Sequence, residues 1–213
     1  MSEVISVDDP DAVVRVVEAV RNGQLVVIPT DTSYAVIADA FNAAAITQLR
    51  IAKGQTEDVS LPIGAASIEM IVGVAHLSTL ARDLATAFWP GPLTLLTTAQ
   101  ESLAWRIGSP DSALSVRVPH HEFAQNALMG IGPTVMTGAQ RAEERAIHNV
   151  ASAQQALGDS VELYVDAGPL SETLSTVVDA TGIHLRMVRQ GALSLSDIRH
   201  VVPMVVDATA SAH

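Results

Sequence analysis

The chain has 213 residues, 48% hydrophobic and 16% charged, which supplies a sizeable core and excludes a disordered chain. Twelve Lys and Arg against twenty-three Asp and Glu give a net charge of −11, and duplex nucleic acid is held by cations on phosphates, so direct duplex binding is not expected. The absence of cysteine excludes disulfides, thiolate metal sites and cysteine nucleophiles.

The start, MSEVISVDDPDAVV, is acidic and has neither the basic n-region nor the apolar h-region of a signal peptide. No run of 18 apolar residues suits a membrane span. Together with the lack of cysteine, these features predict a soluble, cytoplasmic protein. Residues 1–213 are expected to form one domain, with a core over about 11–200 and a frayed tail over 203–213.

In chain order, residues 11–22 read as an amphipathic helix through Val13, Val14, Val17 and Val20, ended by Asn22-Gly23. Residues 24–29 form a short β-branched run that suits a buried strand, and residues 35–38 form another. Asn42 is placed to cap a helix that runs to Lys53, and a polar loop follows to Ser60. Residues 61–66 read as strand, and 67–72 and 78–88 as helices. Trp89-Pro90-Gly91-Pro92 is a rigid break, followed by strand character over 93–99.

Strands are predicted over 113–118, 134–137 and 161–166, with helices over 122–129 and 149–157. Residues 175–179 and 184–189 read as a closing pair of strands. Ser196 is read as opening the last helix, with Asp197 in its first turn. Alternating strands and helices argue an α/β fold with a mixed sheet.

Four stretches carry a more specific signal. They are IPTDTSYAVIADAFN at 28–42, FWPGPLTLL at 88–96, SVRVPHHEFA at 115–124, and DAGPLSETLSTVVDATG with VRQG across 166–191. In order and spacing they resemble the YrdC/YciO-like family, the threonylcarbamoyl-adenylate synthases of tRNA modification. The resemblance implies an open, twisted, mixed α/β sheet flanked by helices around a concave, positively lined cavity. It implies a nucleotidyltransferase that converts ATP, L-threonine and bicarbonate to threonylcarbamoyl-AMP and pyrophosphate, with Mg²⁺ accompanying ATP and no tightly held protein-ligated metal. The product would feed modification of tRNA adenosine, with tRNA-modification proteins as partners.

The family's chemistry is tied to a Lys-x-Arg pair and a Ser-x-Asn pair, and this chain departs from both. Lys53 is present, but Gln55 stands where the arginine is expected, and a neutral amide cannot replace a cation facing phosphate. Gly138 stands for the serine and Gln140 for the asparagine, one methylene longer. These four occupy the catalytic positions by resemblance. Thr32, Arg117 and Ser175 match substrate-binding positions, with Arg117 opposite the threonine carboxylate. Lys53 and Arg189 match nucleotide-binding positions. Arg50, Arg141 or Arg145 could supply the cation that Gln55 lacks.

Simpler readings stand beside these. Lys53 suits a helix C-terminus, Asp31 and Thr32 suit a turn, Arg117 suits an ion pair, and Trp89 suits architecture. Arg141 to Arg145 suit a solvated face. His120 and His121 are adjacent and point apart, and no histidine has an acidic partner at ligand spacing, so no metal site is predicted. A disabled or repurposed relative that binds a nucleotide or small carboxylate is the alternative function. An RNA-binding module is a third, disfavoured by the net charge.

Overall fold

The structure is a computed structural model that describes residues 2–101, 103, 107–108, 113–142 and 144–209. β1 (Glu3–Ser6), α1 (Ala12–Arg21), β2 (Val26–Pro29), β3 (Tyr34–Ala38) and α2 (Ala43–Lys53) open the chain. β4 (Ile63–Gly64), α3 (Ile68–Val72), β5 (Ala75–His76) and α4 (Thr79–Phe88) follow. Next come β6 (Leu93–Ala99), β7 (Leu114–Arg117), α5 (Glu122–Ile131), β8 (Thr134–Gly138) and α6 (Val150–Leu157). A short 3₁₀ turn leads into β9 (Leu163–Asp166), β10 (Thr176–Asp179), β11 (Arg186–Arg189), α7 (Leu195–Val201) and β12 (Val206–Asp207).

Local chemistry sets most of these boundaries. The Asn42 side chain accepts from the amides of Ala44 at 3.1 Å and Ala45 at 3.2 Å, and α2 stops at Gly54 in the left-handed region. Ser67, Ser78 and Asn149 cap α3, α4 and α6 in the same way. The last helix is capped by Ser194 and not Ser196: Ser194 and Asp197 form a reciprocal capping box. The peptide Trp89–Pro90 is cis, and the Trp89 indole is buried, donating to the Leu93 carbonyl at 2.7 Å. That contact ties the Pro-rich break to the start of β6, as the architectural reading of Trp89 expects.

The strands pair in the order β1-β9-β2-β3-β8-β4-β7-β6-β10-β11-β12, with β5 on the flank of β6. Parallel and antiparallel pairs alternate irregularly, so the sheet is mixed, as the sequence predicts. Two elements escape the sequence reading. β1 pairs in parallel with β9 in a stretch read only as an acidic start. The tail read as frayed is held to the sheet instead: β12 pairs with β11, and Val205 and Ala208 are buried. Residues 210–213 of that expected tail lie outside the described residues.

Each strand points successive side chains to opposite faces. Val27, Tyr34 and Val36 join one core with α2, α4, α6 and α7, while Val26, Ile28, Ala35 and Ile37 join a second core with α1 and α5. Covering both faces of β2 and β3 explains their unbroken apolar runs. Further along the sheet the pattern changes. Leu93, Leu95, Leu114 and Val116 keep to the first core, but the intervening Thr94, Ser115 and Arg117 face a hollow to which α1 and α5 contribute no lining residue.

Candidate functional site

The hollow is a cavity of about 300 Å³. It is floored by β6, β7 and β10 and walled by the β2–β3 loop, the end of β8 and the start of β10. Hydroxyl residues dominate its polar lining: Thr30, Thr32, Ser33, Thr94, Ser115, Thr137 and Ser175. A second hollow of about 540 Å³ lies alongside and shares Thr32, with Asp31, His120 and Thr173 on its wall.

The β2–β3 loop is shaped by its own hydroxyls. Thr30 Oγ1 donates to the Ser33 carbonyl at 2.6 Å and accepts from the amides of Thr32 and Ser33 at 3.3 and 3.2 Å. This turn delivers Thr32 and Asp31 to Arg117 on β7. Arg117 Nη1 donates to Thr32 Oγ1 at 2.8 Å, Nη2 pairs with Asp31 Oδ1 at 2.7 Å, and Nε donates to the Gly91 carbonyl at 3.0 Å. Burial lowers the pKa of Arg117 and the Asp31 charge opposes that shift, yet a guanidinium stays protonated. Among the described residues, three of its five N–H groups are engaged. Thr32 Oγ1 accepts from Arg117, which turns the hydroxyl's own proton toward other acceptors.

A second guanidinium enters from β11. Arg189 donates through Nε and Nη2 to the Ser175 carbonyl at 3.2 and 2.9 Å, and through Nη2 to Ser175 Oγ at 3.1 Å. Ser175 Oγ lies 2.9 Å from Thr94 Oγ1, linking β6, β10 and β11. Burial lowers the pKa of Arg189 as well. Close backbone packing holds this corner: a Cβ on Gly191 would overlap the Leu174 carbonyl, and the Gly191 amide donates to Thr176 Oγ1 at 3.0 Å.

Thr32, Arg117, Ser175, Arg189, Gly138 and Gln140 therefore meet at one cavity. Lys53 and Gln55 are not among its lining residues. Lys53 is buried behind the wall, and its ammonium donates to the carbonyls of Gly138 at 2.5 Å and Gln140 at 2.6 Å. Burial pushes its pKa down to about 8, against the opposing charge of Glu144. Gln55 Oε1 is buried and, among the described residues, finds no hydrogen-bond partner. None of the three arginines considered as substitutes reaches the cavity. Arg50 Nη1 donates to the Thr56 carbonyl at 2.6 Å, and Arg141 and Arg145 are exposed.

Thr94, Ser115 and Thr30 were missed by the sequence reading. For Thr94 and Ser115 the signal exists: each is a polar residue flanked on both sides in its strand by leucine or valine, which face the other way. It marks a polar patch only once the neighbouring strands are known. Among the described residues, no group of three or more His, Asp or Glu could hold a metal ion. No helix among them is long and apolar enough to cross a membrane.

A family model named for Sua5, YciO and YrdC, and described as telomere recombination, matches residues 18–191. The chain belongs to this family. A Mycobacterium leprae protein provisionally named threonylcarbamoyl-AMP synthase is 36% identical over 211 residues, covering 96% of both chains. The threonylcarbamoyl-AMP synthase of Pyrococcus abyssi is 31% identical over 189 residues, 86% of this chain and 55% of that one. In three dimensions, a crystal structure of P. abyssi Sua5 complexed with L-threonine superimposes with a TM-score of 0.88 at 28% identity. It covers 98% of this chain, which spans 63% of that one. Escherichia coli YciO shares the fold, with a TM-score of 0.84 over 93% of this chain at 21% identity.

All four stretches that carry the family resemblance supply lining residues to the cavity. Thr30 and Thr32 come from the first, Thr94 from the second, Ser115 and Arg117 from the third, and Ser175 and Arg189 from the last. The polar loop over 53–60, which carries the altered Lys-x-Arg signature, supplies none.

Proposed function

We propose that this chain is a threonylcarbamoyl-AMP synthase acting on ATP, L-threonine and bicarbonate. In that reaction the threonine amine attacks bicarbonate carbon, forming a carbamate and releasing water. A carbamate oxygen then attacks the α-phosphorus of ATP, and pyrophosphate leaves. The observation that carries the reading is the pair of guanidinium groups, Arg117 and Arg189, set among seven serine and threonine residues in one cavity. Fixed cations and donors of this kind stabilise charge on a carboxylate and on transferring phosphoryl oxygens without reorganising during the step.

Arg117 and Thr32 would hold the amino-acid carboxylate, and Arg189 and Ser175 would meet the nucleotide. The hollow that shares Thr32 gives an amino acid and a nucleotide room to lie side by side. The lining residues of the main cavity include no carboxylate, so Mg²⁺ would arrive on the triphosphate and not in a cage of protein ligands. The product would pass to partner proteins that modify tRNA adenosine, and the net charge of −11 disfavours broad contacts between this chain and RNA phosphates. The alternative of a repurposed binding protein is not favoured by relatives named as synthases that align over most of the chain.

The test is pyrophosphate release by purified protein with ATP, Mg²⁺ and bicarbonate, with and without L-threonine. Threonine-dependent release is expected. Release that ignores threonine, or none at all under conditions where a related synthase turns over, would reject the reading.

A further inference from the structure

The second hollow, of about 540 Å³, differs from the main cavity in charge. The lining residues of the main cavity carry two guanidinium groups and no carboxylate. Those of the second hollow include a carboxylate, Asp31, and an imidazole, His120. Thr32 belongs to both linings, so the hollows meet beside the Arg117–Asp31 pair. A zwitterionic amino acid laid across that junction has a carboxylate for Arg117 and an ammonium for the side of Asp31. The reverse orientation sets like charges together at both ends.

Two features hold His120 at this junction. Its backbone amide donates to Asp31 Oδ1 at 3.0 Å, the same oxygen that Arg117 Nη2 meets at 2.7 Å. The preceding Pro119 is buried and has a fixed φ, so the chain enters His120 with little freedom. His120 itself is exposed, so a proton it gains can leave to water. Its neighbour His121 is placed otherwise. His121 lines neither hollow, its Nδ1 is buried with no hydrogen-bond partner among the described residues, and burial lowers its pKa. On the facing loop, Ser171 and Thr173 are neutral hydroxyls with the exposed Glu172 between them. Asp31, Arg117, His121, Glu122 and Glu172 are the charged and titratable groups around His120.

An ammonium has no lone pair and cannot attack bicarbonate, so the carbamate step needs a proton acceptor beside the amine. We propose that His120 is the general base of that step: its imidazole takes one proton from the threonine ammonium held beside Asp31, and the freed amine attacks bicarbonate carbon. The proposal rests on the synthase reading and adds a catalytic residue to it. A C–N bond forms as a C–O bond of bicarbonate breaks. The departing hydroxide takes the second amine proton and leaves as water. The carbamate keeps the negative charge that bicarbonate brought, and the proton on His120 passes to solvent. Histidine is the side chain most often used in this role, where it contributes about 100- to 10,000-fold.

The experiment compares His120→Gln with the wild type by kcat/KM for L-threonine, KM for ATP and Tm, from pH 7 to about 9.5. Glutamine keeps the backbone amide on Asp31 and carries no basic nitrogen. At pH 7 the variant should lose about 100-fold in kcat/KM for threonine, with KM for ATP within about 2-fold and Tm unchanged. The deficit should narrow to less than about 10-fold near pH 9.5, where much of the threonine arrives with a neutral amine. Lys53, with its pKa lowered to about 8, titrates alike in both proteins and drops out of the ratio. Imidazole added at pH 7 should raise the variant's rate at least about 5-fold, because the position is open to solvent.

No deficit at pH 7, a deficit that stays constant with pH, or one that imidazole does not relieve would overturn the assignment. A change confined to KM for ATP would place His120 at the nucleotide and overturn it as well. A wild type without threonine-dependent turnover would defeat the synthase reading and this proposal together. Threonine-dependent turnover in the wild type with an unimpaired variant would defeat this proposal alone.

Discussion

Removing the Arg117 guanidinium, as in Arg117→Met, strands three acceptors at once: Asp31 Oδ1, Thr32 Oγ1 and the Gly91 carbonyl. Among the described residues, Asp31 then keeps only the His120 amide, at 3.0 Å, as a donor. The side chains of the pair are 11% and 14% exposed, so the stranded carboxylate is poorly served by water. Breaking a buried pair by deleting one partner costs about 3–5 kcal/mol, and partial exposure puts this one near about 3 kcal/mol. Asp31→Asn keeps an acceptor for both donors while removing the charge, and should cost less, about 1 kcal/mol. In the double variant the stranded charge is gone, so the combined loss should fall short of the sum by about 1–2 kcal/mol. Urea unfolding of the four proteins measures each quantity. Additive losses, or an Arg117→Met cost below about 1 kcal/mol, would show that the contact contributes little and that Thr32 is positioned by its own turn. Pyrophosphate release should fall at least about 100-fold in Arg117→Met, a loss of about 2.7 kcal/mol in transition-state stabilisation.

Two further outcomes follow from single residues. Burial pushes the Lys53 pKa down to about 8 in the folded chain against 10.5 for an ordinary lysine, so the charged form is disfavoured by folding. Below pH 8 both states are protonated and the burial penalty is fully present. Between pH 8 and 10.5 the unfolded chain binds more protons, and stability contributed by this group rises with pH. The stability of the wild type relative to Lys53→Met should therefore rise from pH 7.5 to 10, by at most about 3 kcal/mol, and a pH-independent difference in urea unfolding would refute it. Gly191→Ala would drive a methyl into the Leu174 carbonyl and push the Arg189 strand from Ser175, costing about 1–3 kcal/mol and raising KM for ATP, whereas an unchanged Tm would contradict the packing described.

Much of the fold is legible without coordinates because its signals are local. Asn42, Ser67, Ser78 and Asn149 cap helices through their own side chains, and each acts within three residues along the chain. Strand β1 and the tail strand β12 escaped because two to four residues carry too little periodicity. Their pairing with β9 and β11 is what defines them. Ser194 was passed over for Ser196 because both are serines near the same turn, and only the capping box with Asp197 separates them.

The site divides along the same line. The sequence by itself determined the α/β class, the family, and the residue types that a phosphoryl-transfer cavity needs, because motifs are contiguous. Which of those residues meet was decided by tertiary structure. Thr32, Arg117, Ser175 and Arg189 come together because long-range pairing sets β7, β6, β10 and β11 side by side in the sheet and the β2–β3 loop reaches Arg117 from 85 residues away in the chain. The direction of the Lys53 ammonium depends on ångström-scale distances between side chain and backbone, and no pattern of residue types encodes such distances.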